Sequence, residues 1–148
     1  MPGQTYYADG IKFPATQVPN SDVNVLDDYE EGAWTPVLKF GATAQTITGH
    51  TCSYTRIGNI VFISGMIKWA AAGGSGAVSI EGLPFASAST STVIVMAGCA
   101  AGKITATDHL FYNIDSGTTV LHLANQAGDI FDTSMVAGII TVMGHYRV

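Results

Sequence analysis

A chain of 148 residues with 47% hydrophobic side chains is long enough to bury one sizeable core, which excludes disorder of the whole chain. Only 11% of the residues are charged, against roughly 25% in an average soluble protein, so part of the surface is expected to be covered by something other than water. The net charge of −5 sits at one end: residues 1–36 hold six acidic side chains against Lys12 alone, and residues 37–148 hold five of each sign.

A neutral body offers no basic face to phosphates, which disfavours nucleic-acid binding. Cys52 and Cys99 are too few and too far apart for a disulfide framework or a zinc knuckle, and buried free thiols are expected. The first residues, Met1-Pro2-Gly3-Gln4-Thr5, have neither the basic nor the apolar region of a secretory signal. The longest apolar run, Val93 to Ala101, is about half the roughly 20 residues a spanning helix needs, so no membrane insertion is expected.

In chain order, the prolines at positions 2, 14, 19 and 36 fix an extended leader, since each withholds a backbone donor and restricts its neighbour. Residues 1–33 are therefore expected to form an N-terminal arm, too short for a core of its own, lying against the body or a neighbouring subunit. Residues 34–148 read as an all-β domain, an antiparallel sandwich, because β-branched and aromatic runs alternate with Gly, Asn, Asp and Ser and few strong helix formers remain. The expected strands are Trp34–Phe40, His50–Ile57, Asn59–Trp69, Ala77–Ile80, Thr92–Ala100, Lys103–Thr107, His109–Asp115, Thr118–Leu123 and Gly138–Tyr146. Gly58-Asn59 marks a tight hairpin, and Asp115-Ser116-Gly117 and Ala101-Gly102 carry similar turn signals. The run Asn59–Trp69 is apolar on both parities, as in a strand covered on both faces, which suits a sandwich whose outer face meets another subunit.

Motifs for chemistry are sparse. The acidic cluster Asp22, Asp27, Asp28, Glu30 and Glu31 has the oxygen ligands calcium prefers but not the EF-hand spacing, and reads as an acidic turn before a strand; no metal or cofactor is expected. Glu81, Asp108, Asp115, Asp129 and Asp132 show no pairing suited to glycoside hydrolysis. Gly73-Gly74-Ser75-Gly76-Ala77 lacks the last glycine of a nucleophile elbow and the lysine of a phosphate loop, and His50, His109, His122 and His145 are dispersed. No catalytic residue is expected. Trp69, at a strand exit beside a small-residue loop, is the best candidate for an exposed platform that stacks on a sugar ring, with Tyr112 and His109 as further candidates for ligand contact. Core or interface packing is the competing reading for each aromatic.

Three separated segments, together with the preceding Phe13-Pro14-Ala15-Thr16-Gln17, carry a resemblance: Leu26-Asp27-Asp28-Tyr29-Glu30-Glu31-Gly32-Ala33-Trp34-Thr35-Pro36, Tyr54-Thr55-Arg56-Ile57-Gly58-Asn59, and Gly82-Leu83-Pro84-Phe85. In this order they resemble a module at the C-termini of bacteriophage tail fibre and tail spike proteins. The likeness runs from about Gly10 to Phe85, with Ala33 standing where threonine is frequent. It implies a jelly-roll-like sandwich in a homotrimer, assembled in the host bacterial cytoplasm into a virion. The implied partners are other copies of the chain, further virion proteins and a host-surface polysaccharide. Asp27, Asp28, Tyr29, Glu30, Glu31, Gly32, Trp34 and Pro36 are the positions that match the family motif. A trimerisation or folding cap, or a decoration protein without a ligand, is the structural alternative.

Overall fold

The computed structural model describes residues 6–7, 10–16, 18, 20–22, 25–26, 28–70, 73–89, 93–98, 111–125, 128–129, 131–132 and 137–148. Among these described residues there is no helix, and so none that is long and apolar enough to cross a membrane. The strands are β1 (Tyr6–Tyr7), β2 (Gly10–Ile11), β3 (Tyr29–Ala33), β4 (Val37–Phe40), β5 (Thr43–Ala44), β6 (Thr46–Ile57), β7 (Ile60–Ala70), β8 (Gly76–Glu81), β9 (Val93–Gly98), β10 (Phe111–Ile114), β11 (Val120–Asn125), β12 (Gly128–Asp129), β13 (Phe131–Asp132) and β14 (Gly138–Arg147). Every pairing among them is antiparallel.

Neighbouring strands follow the order β3-β6-β7-β14-β9-β10-β11-β8-β4-β5, with β12 added to β11 and β13 to β8, while β1 and β2 pair separately. Two antiparallel sheets, β3-β6-β7-β14 and β10-β11-β8-β4-β5, thus meet through β9. Their inner faces share one core. Ile63, Ile67 and Trp69 of β7 and Ile140, Val142 and Tyr146 of β14 pack in the same cluster as Leu38 and Phe40 of β4, Ile80 of β8, and Leu121 and Leu123 of β11. Phe40 meets Trp69 edge-on across the two sheets, with ring centroids 6.3 Å apart.

The alternation of side chains decides which residues enter that core. In β4, Leu38 and Phe40 are buried while Val37 is exposed; Lys39 turns outward to Glu81 of β8, Nζ to Oε1 2.8 Å. In β7, Val61, Ile63, Ile67 and Trp69 point inward, whereas Phe62 is 46% exposed. The double-sided apolar character of this strand therefore leaves one face open in the single chain. Gly58 and Asn59 form the expected two-residue turn between β6 and β7. Asp115-Ser116-Gly117 turns β10 into β11, where the Thr118 amide and hydroxyl both donate to the Asp115 carbonyl at 3.2 and 2.9 Å.

Of the expected strands, Lys103–Thr107 lies outside the described residues, and each of the others coincides with an observed strand, with shifted ends. The acidic segment read as the end of the arm is instead a sheet strand: β3 pairs with β6 from Tyr29↔Ile57 to Ala33↔Ser53. Upstream of it, Phe13 lies tilted against Tyr29, centroids 5.5 Å apart.

Candidate functional site

The three motif segments, far apart in sequence, converge at the end of the β3–β6 pair. Pairing places Glu30 opposite Arg56 and Gly32 opposite Tyr54, so these four share the inward side of the sheet. Tyr54 lies over Gly32 and donates its hydroxyl to the Glu30 carboxylate. A Cβ at position 32 would come within 2.7 Å of the Tyr54 ring, so only glycine lets the ring keep that position. The carboxylate holds the Tyr54 phenol up to about 12, chiefly because it accepts the phenolic proton.

Arg56 joins the second and third segments. Its guanidinium carbon sits 4.9 Å from the centre of the Phe85 ring, and Phe85 meets Tyr54 edge-on with centroids 5.5 Å apart. Arg56 Nη2 lies 3.0 Å from Asp28 Oδ2, and its Nε donates to the Gly58 carbonyl at 3.0 Å. Asp28 is buried, and Oδ2 accepts no hydrogen bond, so that oxygen rests on the Arg56 charge. The Asp28 carbonyl accepts from the Gly58 amide at 2.9 Å, which ties the segment before β3 to the β6–β7 turn.

Tyr146 closes the arrangement from β14. Its hydroxyl donates to the Phe85 carbonyl at 2.9 Å and accepts from the Phe85 amide at 3.3 Å. Burial pushes its phenol up to about 12, partly offset by the bond to the Phe85 backbone. Burial likewise pushes the Cys52 thiol up to about 11. Both groups keep their protons in the folded state where an unfolded chain would release them. The stability they contribute is therefore complete below about pH 9 and falls as pH rises towards about 12. We expect the urea midpoint to decline between pH 9 and 11, and to decline less in Tyr146→Phe; a flat wild-type profile would contradict this assignment.

Trp34 and Pro36 of the first segment are core residues: Trp34 is buried and donates its indole N–H to the Ser53 carbonyl at 3.2 Å, and Pro36 is buried just before β4. The Thr35 carbonyl passes so close to Gly82 that a Cβ there would lie 2.4 Å from it. Each motif segment thus touches another, and the matched residues form a polar and aromatic knot that joins β3, β6, β14 and the 82–85 turn.

Beside the knot is an open cleft of about 390 Å³, lined by Ile11 to Ala15 on one side and by Asp28, Tyr29, Glu30, Glu31 and Arg56 on the other. Glu31 accepts from the Tyr29 hydroxyl, which holds the Tyr29 phenol above its ordinary value. The acidic cluster is divided among different partners: Asp28 faces Arg56, Glu30 faces Tyr54, and Glu31 faces Tyr29. Asp27 lies outside the described residues. Among the described residues, no three His, Cys, Asp or Glu side chains are grouped to hold a metal ion.

The sugar platform expected at Trp69 is corrected by its burial. Trp69 is 3% exposed in the core, because the strand runs one residue further, to Ala70, and its alternation turns position 69 inward. Tyr112 is 0% exposed for the same reason on β10, and its hydroxyl points to the Thr141 carbonyl at 3.4 Å. Neither reaches a ligand at the surface of this chain. His109 lies outside the described residues. Sequence reasoning missed the cleft, whose aromatic members Phe13 and Tyr29 come together only because β3 joins the sheet.

No family model matches the chain, and no curated protein matches it.

Proposed function

We propose that the chain is a non-enzymatic module of a phage virion, of tail fibre or tail spike type, which assembles as a homotrimer with a jelly-roll-like sandwich and an N-terminal arm. The observation that carries this reading is the convergence of the three motif segments. A motif that specifies a fold should spend its residues on mutual contacts, and Gly32, Tyr54, Arg56, Gly82 and Phe85 are spent that way. The low charge content and the open apolar face of β7 support self-association.

Host-surface glycan recognition is the part of the function we assign to the cleft. Phe13 offers an aromatic face there, beside the hydrogen-bonding groups of Arg56 and Glu30. The burial of Trp69 and Tyr112 favours the second reading, a trimerisation cap or decoration protein without a ligand.

Light scattering at low and high salt tests the first step, since apolar burial resists salt and surface charge pairing does not. A trimer at both salt concentrations is expected, and a monomer would overturn the reading. A glycan array then separates the two versions. Binding that Phe13→Ala abolishes in an intact trimer supports recognition at the cleft, and silence from a stable trimer supports the cap.

A further inference from the structure

The sheet β3-β6-β7-β14 turns one face to the core and leaves the other open. Residues directly opposite on neighbouring strands share a face, so the register defines three outward rows that span all four strands. They are Tyr29–Ile57–Ile60–Arg147, then Glu31–Thr55–Phe62–His145, then Ala33–Ser53–Ser64–Met143. Tyr29, Ile57, Phe62 and Met143 are exposed, Met143 at 69%, and Phe62 packs on His145 with centroids 5.7 Å apart. A run of large apolar side chains on one open sheet face marks a contact surface.

The charges on this face identify what covers it. Glu31, at the β3 edge, bonds the Tyr29 hydroxyl and pairs with no cation among the described residues. Arg147, on β14 at the other side, is exposed and pairs with no anion among them. Three strand spacings separate the two, roughly 14 Å at about 4.8 Å each, which exceeds the screening length of about 8 Å at physiological ionic strength. One chain cannot join them. A second copy brings its acidic edge to the basic side of the first, and the contact repeats head to tail until the ring closes.

We propose that copies of this chain pack through the outer face of β3-β6-β7-β14, with Tyr29 and Glu31 of one copy set against His145 and Arg147 of the next. Ile57, Phe62 and Met143 are covered in the same contact. This rests on the self-association proposed above and adds the face and the pairing that produce it.

The test compares the full-length wild-type chain with Phe62→Ser, Glu31→Arg, Arg147→Glu and the double reversal, by light scattering over a concentration series at physiological salt. Circular dichroism confirms folding of each. Phe62→Ser and each single reversal are expected to weaken assembly by about tenfold or more, and the double reversal to recover most of that loss. Should Phe62→Ser fail to fold, the reversals alone decide. A wild-type trimer that none of the variants weakens would overturn the face while leaving the trimer intact. Single reversals that weaken assembly without rescue in the double would overturn the Glu31–Arg147 pairing. A wild-type monomer would remove the self-association on which the inference rests.

Discussion

Replacing Arg56 by alanine is expected to destabilise the fold by about 3–5 kcal/mol, the range for removing one partner of a buried ion pair. Asp28 and Arg56 keep only 10% and 18% of their side-chain surface exposed, so most of the pair is shielded from water. The substitution also removes the cover over Phe85 and the bond from Nε to the Gly58 carbonyl. Urea unfolding measures the loss. Arg56→Leu combined with Asp28→Asn should recover much of it, because the second change removes the stranded charge. A loss below about 1 kcal/mol in Arg56→Ala would mean that Asp28 finds water or another cation, in keeping with an exposed pair.

Gly82→Ala is the second change of large expected effect. Gly82 has φ of +87°, a left-handed conformation that costs an L-residue about 1–2 kcal/mol. The added Cβ would also sit 2.4 Å from the Thr35 carbonyl oxygen, a backbone atom that rotamer changes cannot move. Overpacking of that kind adds about 1–3 kcal/mol, so a total near 3 kcal/mol is expected. Thermal unfolding by circular dichroism reads it as a clear drop in Tm. An unchanged Tm would show that the segment holding Thr35 and the 82–85 turn can separate without loss.

The sequence made the sheets legible where alternation was strong. In β4, Leu38 and Phe40 are buried and Val37 is exposed, the alternation that a period-two strand produces. It failed at β3, because Glu30, Glu31 and Gly32 have poor strand propensity and their place in the sheet depends on Tyr54 and Arg56, far along the chain. It also failed at Trp69 and Tyr112: an aromatic near a strand end gives no local sign of its face, and a one-residue difference in register reverses it. The contacts among the three motif segments could not be read from spacing, since each is made across strands rather than within one. The segments nonetheless stood out, because glycines and aromatics at fixed offsets are what such cross-strand approaches need.

The pairing of β14 with β7 sets a timetable for biosynthesis. The β6–β7 hairpin can form as soon as residue 70 clears the ribosome, yet the long free side of β7 finds its partner only when Gly138–Arg147, much later in the chain, has been made. At about 5–20 residues per second, an apolar strand edge waits for seconds inside a crowded cell. Nascent chains from the same transcript carry the same edge, so pairing in the wrong register between them competes with folding. Deleting Gly138–Arg147 would leave that edge of β7 without its partner.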